Sequence, residues 1–328
     1  MDIEIRTRLS GEKLNIWKSF LKEAELEADP CCEQTVLVWD EGKLVATGSR
    51  DRNLLKCIAV SKERQGEGIT ATLLTALRKE AFSAGYRHLF LYTKPKNEFM
   101  FSSLFFYSVA KTDKVLLMED KKGGINEFLD SLKCEEQSGV VGACVMNCNP
   151  FTLGHRYLIE KAATECDKVY VFVLSEDRSR FCFKDRIEMV RLGVADLKNV
   201  SVLPSGPYLI SSATFPTYFL KEREKEGEVQ CDLDIEIFTK YFAPKFNITR
   251  RYIGTEPLSP MTNMYNIELI KKLPQKGIEV REIARMEKEG KAVSASAFRS
   301  LFEKGEIESA KKLVPKSTFD YIIENNLL

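Results

Sequence analysis

Hydrophobic positions near the N-terminus alternate with charged ones. Ile3, Ile5 and Leu9 frame an extended segment, and the period of two predicts a strand. Leu14, Trp17, Phe20 and Leu21 then recur at helical spacing, predicting an amphipathic helix to about residue 28. Two short apolar runs, 35–39 and 43–48, flank the acidic turn Asp40, Glu41, Gly42 and read as a hairpin. The run 54–60 supplies another strand. A Gly-rich turn, Gln65 to Gly68, opens a helix marked by Ile69, Leu73, Ala76, Leu77 and Ala81 and stopped by Gly85. Runs at 88–92 and 115–118 predict two further strands.

After Met118 the texture turns polar, with Glu119, Asp120, two lysines and two glycines, a short helical stretch, and then Glu135 to Gly139. This composition predicts a linker over 126–138 between domains at 1–125 and 139–328. Beyond it, strands at 140–145, 168–174 and 200–203 alternate with helical patterns at 154–165 and 184–195. That alternation argues α/β architecture, a parallel sheet with helices on both faces, behind an α+β N-terminal domain.

Length agrees with two domains: 328 residues exceed one ordinary core. Lys plus Arg (49) nearly balances Asp plus Glu (48), so no broad field is available for nucleic acid or an anionic membrane. No apolar run approaches the ~20 residues needed to span a bilayer, and the acidic, alternating start is unlike a signal peptide. The expected location is cytoplasmic. Nine cysteines without C-x-x-C pairs favour neither a disulfide framework nor a metal site, and no metal ligands are assigned. The vicinal pair Cys31 and Cys32 reads either as a redox or metal-binding pair or as an ordinary loop.

Strand 140–145 runs directly into Asn147, Cys148, Asn149, Pro150, Phe151, Thr152, Leu153, Gly154 and His155, followed by a helical stretch. A helix start offers unpaired amides and a partial positive charge that suit phosphate. Gly154 admits close backbone approach, while Thr152 and His155 add donors where charge develops at phosphorus. Near the other end of the domain, Ser294, Ser296 and Arg299 stand at another expected helix start, where a guanidinium fork matches phosphate oxygens. Between them the apolar run from Tyr252 ends in a turn at Gly254, Thr255 and Glu256. Both turns fall beyond the carboxyl ends of strands, where open parallel sheets bind ligands. Each residue also has a plainer reading: Thr152 and Ser294 as helix caps, His155 as a helix-start hydrogen-bonding group, Arg186 as a surface ion pair and Glu256 as a turn carboxylate.

The T-x-G-H element paired with S-x-S-x-x-R resembles the nucleotidyltransferase superfamily. That resemblance implies a Rossmann-like sheet binding ATP and attack on its α-phosphate with release of pyrophosphate. More narrowly, the run 146–158, the segment 213–219 (Ala-Thr-Phe-Pro-Thr-Tyr-Phe), Ala243 with Pro244, and Gly254 to Pro257 are similar in order and spacing to the citrate lyase ligase family. Tyr92 to Pro95 extends the likeness into the first domain. The resemblance implies catalytic roles for Thr152, His155 and Arg299, and an ATP site built from Asn147, Asn149, Pro150, Phe151, Gly154, Arg186, Gly254, Glu256, Ser294 and Ser296. It further implies ATP with Mg²⁺, acetate as substrate, and the citrate lyase acyl carrier subunit as partner, acetylated on the thiol of a coenzyme-A-like arm through acetyl-adenylate. A nucleotidyltransferase acting on phosphopantetheine or nicotinamide mononucleotide is the alternative, and a nucleotide-sensing regulator is the non-enzymatic one.

The first domain resembles the GNAT acetyltransferase fold. Gln65, Gly66, Gly68 and Thr70 match the pyrophosphate loop of that fold, with Thr70 replacing its last Gly or Ala; ordinary glycine punctuation is the plain reading. Where such enzymes often carry a tyrosine acid, this chain has Phe101. Phenylalanine cannot donate a proton, so the expectation is a domain that binds a coenzyme-A-like group or serves as scaffold.

Overall fold

The computed structural model describes the chain except residues 30, 135–138, 178, 210–214, 220–225, 257–258, 289–290 and 328. Of the segments that carry the family likeness, Ala213, Thr214 and Pro257 therefore lie outside the described residues. The chain divides into two compact units. One comprises Met1–Gly124 with Pro216–Val229, the other Ile125–Phe215 with Gln230–Leu328.

The first unit carries seven strands: β1 (Asp2–Arg6), β2 (Gln34–Asp40), β3 (Lys43–Asp51), β4 (Leu54–Val60), β5 (Phe90–Thr93), β6 (Tyr107–Lys111) and β7 (Leu116–Glu119). They form one sheet in the order β1-β2-β3-β4-β5-β7-β6. Among the described residues only β4 and β5 run parallel there, and they pair at Leu54 with Phe90 and Leu55 with Leu91 before β4 continues to Val60. The helix Ile69–Ser83 buries Leu73, Leu74 and Leu77 against this sheet. A Cβ on Gly48 of β3 would stand 2.8 Å from Leu77, so glycine permits that close packing. The first helix, Gly11–Glu23, stops short of residue 28, because the chain turns through Glu25 at a φ of +58°. Phe101 is a core residue, 6.2 Å edge-on from Phe106.

Five of the nine cysteines (Cys57, Cys144, Cys148, Cys166 and Cys231) are buried, and all nine are free thiols. Cys31 is exposed. The Cys32 thiol engages that of Cys57, which holds the Cys32 pKa below its ordinary value, and also reaches the Asp29 carbonyl at 3.2 Å.

The segment Pro216–Val229 belongs with the first unit, although the sequence pattern places it in a contiguous second domain. Tyr218 is the reason: its hydroxyl donates to the Tyr92 carbonyl at 2.8 Å, and its own carbonyl accepts the Glu27 N–H at 2.7 Å. The expected linker opens with helix, since Gly124–Ser131 is helical. Residues 135–138 of it lie outside the described residues.

The second unit holds β8 (Val141–Met146), β9 (Lys168–Val173), β10 (Val200–Pro204), β11 (Arg250–Gly254) and β12 (Glu279–Ile283). All pair in parallel, in the order β10-β9-β8-β11-β12. Chain direction across the sheet therefore reverses between β8 and β11, which opens a crevice at their carboxyl ends. Both faces are covered. Val169, Val171 and Val173 of β9 face one core with Phe151, Ile187 and Phe298. Tyr170 and Phe172 point the other way, where Phe246 stands 4.7 and 5.3 Å from them. Among the described residues, no helix is long and apolar enough to cross a membrane.

Phe151 is fully buried beneath the loop that follows β8, and a Cβ on Gly193 would collide with its ring. Gly193→Ala should therefore cost about 1–3 kcal/mol through overpacking. Urea unfolding measures this, and an unchanged midpoint would show that the loop yields freely.

Candidate functional site

The helix Leu153–Glu165 starts within the motif Thr152 to His155, whose parts bond to one another. Thr152 is the N-cap, in extended conformation, and its Oγ1 accepts the His155 N–H at 3.4 Å. In return the Thr152 backbone N–H donates to His155 Nδ1 at 3.1 Å. A ring nitrogen that accepts carries no proton, so His155 is the tautomer with its hydrogen on Nε2. Burial, reinforced by the positive charge of Arg285, lowers the His155 pKa to about 4. At neutral pH the ring is thus an uncharged donor. Phe151 lies parallel to it, 6.0 Å between centroids and 15° between planes, and fixes its orientation from beneath.

The remaining first-turn donors separate in purpose. Leu153 N–H donates to the Leu313 carbonyl at 3.0 Å. The Gly154 N–H is the one that neither bond takes up. A Cβ on Gly154 would stand 2.9 Å from the Val293 carbonyl oxygen, so glycine here lets the helix start approach the segment leading to Ser294. The two motifs, far apart in sequence, meet at that contact.

Thr152, Gly154, His155, Gly254, Glu256 and Ser294 line one cavity of about 270 Å³ in the crevice between β8 and β11. A second, more open hollow of about 460 Å³ shares Thr255 and Glu256 with it. Gly254 has no positive φ, and a Cβ there would meet nothing within 4 Å. The fold does not demand glycine at 254; the open space beside it is the cavity. Glu256 is ion-paired with Arg285, 2.6 Å from carboxylate to guanidinium. Ser294 caps the helix Ala295–Glu303 by accepting the Ala297 N–H at 3.1 Å, and its hydroxyl lies 3.0 Å from that of exposed Ser296.

Other residues assigned from the sequence stand behind the cavity wall. Arg186 is fully buried, so it forms no surface ion pair and does not line the cavity. Its guanidinium donates to the carbonyls of Asn147 (2.7 Å), Leu174 (2.8 Å), Phe181 (3.1 Å) and Glu176, and to Asn147 Oδ1 at 2.8 Å. It binds together the loops that follow β8 and β9, because main-chain oxygens meet it there before any ligand does. Asn149 Oδ1 accepts the Phe181 N–H at 3.1 Å, and Asn147 reaches Ser179 at 3.2 Å. Arg299 donates to the Asn149 carbonyl, tying the helix Ala295–Glu303 to the same loop. Pro150 and Phe151 are buried in it. These residues shape the loop that carries Thr152 and His155.

Sequence reasoning missed Arg285, Arg251 and Asn266, all of which line the cavity. Asn266 donates to the Gly254 carbonyl at 2.8 Å and holds the turn after β11. Arginines in a strand or loop and an amide within the helix Pro260–Lys272 look like surface, and no local spacing marks them. In the first unit, Gly66 and Gly68 adopt φ of +90° and +77°, with open space beside each. Gly68 is the N-cap of Ile69–Ser83, so Gln65 to Thr70 form a backbone-shaped turn into a helix start.

The family model described as Citrate lyase ligase C-terminal domain matches residues 141–322, and that of the Acetyltransferase (GNAT) family matches residues 4–101. The chain is 39% identical to a citrate (pro-3S)-lyase ligase of Klebsiella pneumoniae, over 93% of this chain and 91% of that protein. It is 36% identical to the protein of that name in Escherichia coli K12, over 100% and 95%. A stretch covering 23% of this chain is 36% identical to a phosphopantetheine adenylyltransferase of Symbiobacterium thermophilum, 47% of which it spans. With a GNAT-type domain ahead of a nucleotidyltransferase-type one and relatives of this name along nearly its whole length, the chain belongs to the citrate lyase ligase family of enzymes.

Proposed function

We propose that this ligase activates acetate with ATP and acetylates the thiol of the coenzyme-A-like arm on the citrate lyase acyl carrier subunit. In the first step an acetate oxygen bonds to the α-phosphorus as the bond from that phosphorus to the bridging oxygen breaks, giving acetyl-adenylate and pyrophosphate. In the second the carrier thiol, losing its proton, bonds to the acetyl carbon and AMP leaves. No covalent enzyme intermediate is required, so positioning and charge stabilisation carry the chemistry.

The observation that supports this most is the pairing of a neutral His155, its Nε2 protonated, with the Gly154 amide at one cavity in the crevice. Both are donors for oxygens that gain charge as pyrophosphate departs. Ser294 and Ser296 would serve the phosphate tail from the adjoining helix start, while Arg299 holds the Asn149 carbonyl. Asn147, Asn149, Pro150, Phe151 and Arg186 support the loop. Magnesium would enter on the phosphate oxygens, needing few protein ligands; the described residues hold no group of three or more His, Cys, Asp or Glu able to cage a metal ion. The turn from Gln65 to Thr70 would hold the diphosphate of the carrier arm at backbone amides. The adenylyltransferase-like stretch favours a second reading, transfer of AMP to phosphopantetheine. Acetate-dependent ATP–pyrophosphate exchange tests the first reading, and exchange driven by phosphopantetheine but not acetate would replace it with the second.

His155→Ala should cut acetate-dependent exchange about a hundredfold or more while the protein stays folded. Activity within a few-fold of wild type would remove His155 from the chemistry. Because its folded pKa lies below the unfolded value of 6.5, neutral His155 contributes stability that is present above about pH 6.5 and lost as pH falls toward about 4. Unfolding midpoints measured at pH 7 and pH 4.5 should therefore converge more in His155→Asn than in wild type.

Gly254→Ala should leave urea stability within about 0.5 kcal/mol, since its methyl meets only open space, yet raise the KM for ATP several-fold. An unchanged KM would mean that no substrate approaches that turn.

A further inference from the structure

Arg251, second residue of β11, is 2% exposed and lines the same cavity as His155. Its Nε and Nη1 are buried with no hydrogen-bond partner among the described residues. Its guanidinium carbon lies 4.4 Å from the centre of the Phe238 ring, which supports the charge but accepts no N–H bond in the plane of the group. Asp234, also buried, feels the positive charge, which offsets part of the rise that burial imposes on its carboxyl. Yet the hydrogen bond to Asp234 comes from Tyr265, at 2.6 Å, and no ion pair joins it to Arg251 among the described residues.

A buried guanidinium with orphaned donors is costly, and proteins compensate such groups with acceptors or anions. Arg186 in the same unit shows the compensated case, with its donors on main-chain oxygens. The cavity that Arg251 lines is bounded by Val145, Ile253, Leu269, Tyr265 and Asn266, and its carboxylate, Glu256, is taken by Arg285 at 2.6 Å. Phosphate has better partners at the helix starts of Gly154 and Ser294. The cavity of about 270 Å³ has apolar side chains beside the guanidinium-bearing wall, which suits a small anion with a short hydrocarbon part.

We propose that Arg251 is the receptor for the carboxylate of the acid substrate, holding a small aliphatic monocarboxylate in the cavity that His155 lines. This rests on the ligase reading above. The guanidinium binds the carboxylate oxygens before reaction, and Val145, Ile253 and Leu269 exclude water and larger acids.

In the exchange assay, Arg251→Met should raise the KM for acetate at least tenfold while the KM for ATP stays within twofold. In thermal unfolding, acetate should raise the wild-type melting temperature and acetamide, of the same shape but uncharged, should not; Arg251→Met should lose the acetate response. If Arg251→Met does not fold, Arg251→Lys replaces it and should raise the acetate KM several-fold. An acetate KM within twofold of wild type in the folded variant, or equal stabilisation by acetate and acetamide, overturns the site. Normal exchange with unchanged KM sinks the Arg251 site alone. An acetate-dependent melting shift that Arg251→Met loses, without any exchange in wild type, keeps the site and sinks the ligase reading.

Discussion

The hydrogen bond from the Thr152 backbone N–H to His155 Nδ1 is the constraint on which the cavity's chemistry depends. It closes the first turn of the helix, and the same bond decides where the imidazole proton sits. Were Nδ1 the protonated atom, this N–H would have no acceptor and Nε2 would face the cavity as a lone pair, repelling phosphate oxygens. Burial, and after it the positive Arg285 nearby, keeps a second proton off. Everything beneath serves that geometry: Phe151 stacked under the ring, Gly193 leaving room for Phe151, and Gly154 letting Val293 approach.

Local features of this arrangement were legible in the sequence because they are local in the fold. Thr152, Gly154 and His155 lie within one helical turn, and the strands β8, β9 and β10 are continuous apolar runs bounded by turns. The position of β11 was legible for the same reason, but its place beside β8 and the whole of β12 were not. Its Glu279, Arg281 and Glu282 are exposed at the sheet edge, and a charged edge strand protects against pairing with other chains while erasing the hydrophobic signal. β6, another edge strand, was missed with it. Non-local features left no trace at all. Nothing around Tyr218 in the sequence announces the Tyr92 carbonyl, and Arg186 carries the same letter as a surface charge.

Arg186 and Arg299 change how the second motif is understood. A helix-start arginine beside two serines suggests a phosphate clamp, yet the Arg299 side chain bonds to the Asn149 carbonyl, and Arg186 holds Asn147 from the other side. The loop between β8 and the T-x-G-H turn is thus fastened at both ends by guanidinium groups on carbonyls, an interaction stronger than a neutral hydrogen bond because the donor is charged. Fastening of this kind supplies preorganisation: the donors at Gly154 and His155 are in place before a substrate arrives, and little reorganisation remains for the reaction itself.

The two buried arginines beside the crevice therefore do opposite things. Arg186 has its charge absorbed by the oxygens it positions, and gains nothing from a ligand. Arg251, with donors left over and an aromatic face as its main support, is stabilised further by whatever anion enters. An unfilled demand of this kind weakens the empty protein, since part of the cost of burying a charge stays uncompensated until binding. Folding energy withheld in this way returns as affinity for a small acid too weakly held by its own few atoms. Acetate offers one methyl group and two oxygens, and apolar contact alone cannot distinguish it from water-sized neutral competitors. A buried, waiting positive charge can.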